Sequence, residues 1–91
     1  MPDALLLSDR LDHAATAALH ADLLARRGTA LEVDGRKVTF LGTLAAQLLV
    51  SAKKTWAQDG LAFHITPSED MAAQVDGLGL GEELLDGEAP R

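Results

Sequence analysis

Three histidines, a few hydroxyls and one glycine-rich run are the residues of this chain whose types could support chemistry. His13 stands at the start of a helical pattern, His20 near that pattern's inner edge, and His64 in a strand pattern. No two of them stand at a metal-ligand spacing such as i, i+4, and a chain without cysteine has no thiolate to complete a zinc set. They read as boundary histidines, and no metal site is expected. The run from Gly77 to Gly81, GLGLG, has the composition of a phosphate loop, but such a loop follows a strand and opens a helix. This one follows a helical pattern and leads into acids that repel phosphate, so it reads as a helix stop. Ser8 and Ser51 have no His or Lys at an activating spacing, and no nucleophile elbow is present. No catalytic residue is assigned. Neither enzymatic activity nor a cofactor is expected.

One hydroxyl is placed for a different purpose. Thr43 follows Gly42 where the period of the sequence turns helical, within the stretch 31–60 around which the chain is organised. Thr is a preferred N-cap, because its side-chain oxygen accepts a free first-turn N–H. A hydroxyl at such a place can also carry a phosphate. The positive helix end and the basic Arg36-Lys37 turn would then hold it through about 1–3 charge-assisted hydrogen bonds. Gly42, Thr43, Leu44, Gln47 and Ser51 carry no charge, and such side chains are desolvated more cheaply at an interface centre than charged ones. They are the candidate partner-binding surface, with Lys54 as a rim charge and Thr43 as the candidate phosphoacceptor.

The elements that must position these residues follow from periodicity. Leu31 to Val33 reads as a buried strand, Gly35-Arg36-Lys37 as its turn, and Val38 to Leu41 as a return to the core. After Thr43, the residues Ala45, Leu48, Leu49, Ala52 and Trp56 make one apolar helical stripe, and Gly60 stops the helix. Upstream, Ala4 to Leu7 reads as the first strand and Ser8-Asp9-Arg10 as a turn. Asp12 then caps an alanine-rich helix whose inner stripe is Thr16, Leu19, His20, Leu23 and Leu24. An Asp22–Arg26 pair is expected on its outer face, and Gly28 at its end. Downstream, Leu61 to Thr66 alternates as a core strand and Pro67 breaks it. Ser68 caps a short helix with Met71, Val75 and Leu78 inside. Leu31, Val33, Leu48, Leu49, Leu61, Phe63 and Ile65 are expected to be mostly buried. Strand and helix alternate three times, which implies one small α/β domain over residues 1–81, with a mostly parallel central sheet and helices mainly on one side.

Charge is unevenly distributed. Of the 14 acidic and 8 basic residues, the last 24 positions hold Glu69, Asp70, Asp76, Glu82, Glu83, Asp86 and Glu88 against Arg91 alone. All of the net charge of −6 therefore lies in the last quarter, and residues 82–91 are expected to form an acidic, flexible end. Phosphate backbones require clustered Lys and Arg, so nucleic acid is not an expected partner. No apolar run approaches the about 18 residues of a membrane span, and the first residues lack the basic region of a secretion signal. A cytoplasmic protein without membrane insertion is expected.

The order of these segments resembles a known family. SDRLD before an Ala/Leu helix, then LEVDGRKVTFLGTLAAQLLVSA, then LAFHITPSEDMAAQVDGLGL, is similar to the STAS domain of anti-sigma-factor antagonists and sulfate-transporter tails. The likeness spans about residues 4–80. The family's strand ending in Asp falls on Leu31 to Asp34, its Pro-Ser on Pro67-Ser68, and its Gly-Leu ending on Gly79-Leu80. Its phosphorylation corner falls on Gly42, Thr43, Leu44 and Ala45. There Gly42 replaces the usual acid, and Leu44-Ala45 the usual small residue and Gly. The stretch from Leu41 to Gly60 is most similar to small stand-alone STAS proteins of bacterial chemotaxis clusters.

The resemblance implies a STAS-like fold and a non-enzymatic protein–protein interaction module in bacterial signalling. It also implies a histidine-kinase-like ATPase as partner, with Thr43 in the phosphoacceptor's place. A second class it implies is an accessory subunit of an ABC-type lipid transporter.

Overall fold

The two strand sequences Leu31-Glu32-Val33-Asp34-Gly35 and Phe63-His64-Ile65-Thr66-Pro67 alternate apolar with polar residues, the pattern of a sheet with one buried face. In the computed structural model, which describes residues 4–84, the elements are β1 (Leu5–Leu6), β2 (Arg10–Leu11), α1 (His13–Ala25), β3 (Leu31–Gly35), β4 (Phe40–Leu41), α2 (Thr43–Gln58), β5 (Phe63–Pro67), α3 (Glu69–Gly77) and α4 (Gly81–Leu84). β3 lies between β1 and β5, parallel to both, with Val33 opposite Leu5 and Ile65. β2 and β4 form a second, two-stranded parallel sheet, two short strands that the sequence pattern does not announce.

Parallel neighbours need crossovers, and crossovers are right-handed almost without exception. In the order β1-β3-β5 the crossovers through α1 and α2 step in the same direction, so both helices fall on one face of the sheet. Burial agrees with this. Leu5, Leu31, Val33, Phe63 and Ile65 are buried, whereas Glu32 and Thr66 on the opposite face are exposed and Leu6 is 68% exposed. α3 closes the same covered side. A Cβ on Gly35 would lie 2.6 Å from the Met71 sulfur, so helix and strand pack closely here and a larger residue would force the Met71 side chain to shift. The result is a single small α/β domain with a mostly parallel sheet and one-sided helices.

Local stops behave as their residues dictate. Asp12 caps α1 by accepting the Ala15 N–H (3.0 Å), and Ser68 caps α3 by accepting that of Met71 (2.9 Å). Gly28 and Gly60 follow α1 and α2 with positive φ. Pro67 ends β5 as its last residue rather than just beyond it. The Trp56 indole N–H donates to the Thr29 carbonyl (2.7 Å) and its ring meets Phe63 edge-on at 5.6 Å, tying the end of α2 to the sheet.

Several expected faces are turned. In α2 the stripe Ala45, Leu49, Ala52, Trp56 is buried as read, but it widens towards Ala46 and Val50, and Leu48 is only half-buried. The cause is α4, which docks on that side: Leu84 is 1% exposed and its carbonyl accepts from Lys53 Nζ (2.9 Å). The core therefore extends past Gly81 to Leu84, and the expectation for residues 85–91 lies outside the described residues. His20 is exposed and Leu24 is 60% exposed, because α1 faces the core through Ala15, Leu19 and Leu23. Leu61 is half-buried before β5 begins. Leu78 is exposed as the C-cap of α3, with half-buried Leu80 packed on the core instead. α1 ends at Ala25, so Arg26 lies past the last regular turn, and among the described residues it makes no ion pair with Asp22. Arg27 instead meets Asp59 at 3.3 Å. Among the described residues, no helix is long and apolar enough to cross a membrane.

The turned face of α2 has a measurable consequence. Leu49→Ala is expected to cost about 2–5 kcal/mol in urea unfolding, and Leu48→Ala clearly less. Equal losses would contradict the helix orientation.

Candidate functional site

The start of α2 is positioned by backbone contacts rather than by a side-chain cap. β4 is held on one edge by β2 and on the other by the Gln74 amide of α3. The Gln74 Oε1 accepts from the Leu41 N–H (2.8 Å), and its Nε2 donates to the Thr39 carbonyl (2.9 Å). One side chain thus makes the two bonds of a missing strand. Only a polar residue at the i+3 position from Met71 hints at this in the sequence, and the reading of α3 passes it over. The Thr39 hydroxyl donates to the Asp9 carbonyl (3.0 Å), fixing the other end of the short strand pair.

Gly42, not Thr43, is the N-cap of α2, with extended backbone at φ −72°, ψ 156° and no side chain to cap with. Its N–H donates to the Leu11 carbonyl (3.0 Å), and a Cβ there would stand 2.9 Å from the same oxygen. The backbone angles suit any residue, so it is space that demands glycine. An acidic side chain at this place would need β2 or the helix start to move. Thr43 is therefore the first helical residue. It is exposed, and its hydroxyl bonds no other described residue.

The five predicted contact residues do form one exposed strip. Thr43, Leu44, Gln47 and Ser51 are exposed along α2, with Leu44 at 55%, and Gly42 is half-buried at the end. Lys54 is exposed beyond them. Phe40 is a neighbour that the strand reading treats as core. It is exposed beside Gly42 and Thr43, with the Arg10 guanidinium 4.9 Å above its ring.

The basic turn expected beside Thr43 is elsewhere. Arg36 reaches back to Asp34, donating from Nε (3.1 Å), from a terminal nitrogen (2.9 Å) and from its backbone N–H (3.0 Å). It lines a shallow cleft on the open sheet face with Glu32 and Thr66. The histidines are likewise not gathered: His13 and His20 lie on α1, while His64 meets Glu32 at 3.2 Å across the open face. Among the described residues no group of three or more His, Asp or Glu is arranged to hold a metal.

Comparison with protein-family models, curated proteins and solved structures gives no match to this chain. The site rests on its own geometry.

The Asp34–Arg36 contact predicts a pH dependence. Hydrogen bonds from the Arg36 side chain, then from its backbone N–H, hold the Asp34 carboxyl down to about 2. A depressed folded-state value means that the contribution to stability is present above the unfolded carboxylate value, about 4, and is lost as pH falls through the folded one. The melting-temperature gap between the wild type and Asp34→Asn is expected to be small, since the pair is solvent-screened, and to close towards pH 2. A gap independent of pH in that window would show that Arg36 does not hold the carboxylate.

Proposed function

We propose that this chain is a non-enzymatic, STAS-like interaction module of bacterial cytoplasmic signalling that meets a partner protein through the start of α2. The observation that carries the reading is the exposed, uncharged strip of Thr43, Leu44, Gln47 and Ser51, set on an uncapped helix end beside exposed Phe40. Leu44 offers an apolar anchor, Gln47 and Ser51 offer hydrogen bonds, and the open first-turn N–H groups of α2 donate to an oxygen of the partner. The alternation of strands and helices and the place of residues 42–45 at the second helix start support the family resemblance. A histidine-kinase-like ATPase is the partner that the resemblance suggests.

In this reading Thr43 is a contact residue rather than a phosphoacceptor, since Gly42 stands where the family's acid would be and Arg36 is engaged by Asp34.

A partner recovered by affinity capture and titrated by calorimetry tests the proposal. Leu44→Glu and Gln47→Arg are expected to weaken binding by about tenfold or more, roughly 1.4 kcal/mol. Thr43→Ala is expected to leave stability within about 0.5 kcal/mol, because no cap bond is lost. Wild-type affinity in both charged variants would place the binding surface elsewhere.

A further inference from the structure

Thr43, Leu44 and Ser51 of the strip on α2 also line a longer feature. Where α1 and α2 pack, three hollows run end to end along their seam. The first, at the helix starts, shares His13, Thr16 and Leu44 with the second, and the second shares His20 and Leu48 with the third. They form one trough. Its floor is apolar through Leu44, Leu48, Leu23 and Leu24, and two of these are more than half exposed. Its three hollows hold about 290, 350 and 160 Å³ in turn along the seam, so the shape suits a long occupant that spans them.

His13 and His20 line the α1 side of the rim seven residues apart, about 10.5 Å along the helix, and Arg27 follows in the turn beyond the helix end. Arg27 spends only Nε on Asp59, leaving its terminal amino groups without a partner among the described residues. Arg10 stands at the entrance over Phe40. The single carboxylate in the lining, Asp12, is occupied as the cap of α1. In a chain of net charge −6 this seam is lined almost wholly by neutral and basic groups.

We infer that the α1–α2 trough takes an amphipathic helix of the partner protein, its apolar stripe on the leucine floor, carboxylates seven residues apart facing His13 and His20, and a further one towards Arg27. The inference rests on the interaction reading above and names the element that the partner supplies. Helix-in-groove recognition uses such i, i+4, i+7 anchors, and α2 presents the matching set Leu44, Leu48, Ser51 and Thr55. A helix repeats its face every seven residues, in step with the rim. An extended peptide would pass the same groups about every third residue, at which alternate side chains point away. Acidic flanks supply the complementary charge, which sets orientation and on-rate more than raw affinity.

The test uses the full chain and fluorescein-labelled synthetic helices of about 18 residues, roughly 27 Å long. One carries a leucine stripe flanked by glutamates at intervals of seven, and the other carries lysine at the same positions. By anisotropy in about 50 mM salt, the glutamate helix is expected to bind about tenfold or more tighter than the lysine helix, with the advantage lost at about 1 M. His20→Glu on the chain, an exposed position, is expected to reverse the preference, and Leu24→Glu to abolish binding of both. Equal binding of the two helices, or no effect of His20→Glu, overturns the proposal. So does a dimer in sedimentation that Leu24→Glu disperses, which would assign the trough to a second copy. Binding to vesicles containing phosphatidylserine that needs Leu24 would assign it to a membrane and also overturn the proposal. Against the captured partner, loss of affinity in Leu44→Glu but not in His20→Glu would defeat the helix assignment alone. Wild-type affinity in both would defeat the interaction reading as well.

Discussion

The fold depends on one arrangement: β3 paired in parallel with β1 on one edge and β5 on the other. Parallel neighbours cannot be joined by tight turns, so each link must cross over, and the right-handed rule then sends α1 and α2 to the same face. The two helices become neighbours and the seam between them becomes a surface feature. The opposite face, with Leu6, Glu32 and Thr66, is left uncovered. Uncovered parallel sheets are uncommon. Here the polar residues of the alternating strands make that face tolerable, with Glu32 against His64 and Asp34 against Arg36.

Where α2 begins is fixed by a second, smaller constraint that depends on the first. The β2–β4 pair brings Leu11 against Gly42 so closely that no side chain fits, and Gln74 holds β4 from the other side. The helix start is thereby rigidly placed yet uncapped, and the side chains that follow it are uncharged and exposed. The proposed recognition surface is thus carried on regular elements, with open helix-start donors and an exposed leucine.

The alternation in Leu31 to Gly35 and Phe63 to Pro67, the capping residues Asp12 and Ser68, and the glycine stops made the main elements readable from the sequence, since each is a local signal. The exposed strip is readable for the same reason: Thr43, Gln47, Ser51 and Lys54 repeat at helical spacing. What escaped was set by partners distant in the chain. Two-residue strands such as β2 and β4 have no period to detect. Leu48 reads as core because nothing local announces that α4 widens the buried face towards Val50, and Leu84 reads as peripheral because Gly81, Gly87 and Pro90 break any long element around it. Thr43 reads as the cap because its type favours that role. The close approach of Leu11, 31 positions upstream of Gly42, decided otherwise.

The most direct measurement of the central claim is amide chemical-shift mapping of the isotope-labelled chain with its captured partner. The two faces that could bind are separated by the thickness of the domain, so the map discriminates cleanly. The account predicts the largest changes at Gly42, Leu44, Gln47 and Ser51, continuing along α1 to His20. Changes concentrated instead at Leu6, Glu32, His64 and Thr66 would contradict it and assign recognition to the open sheet.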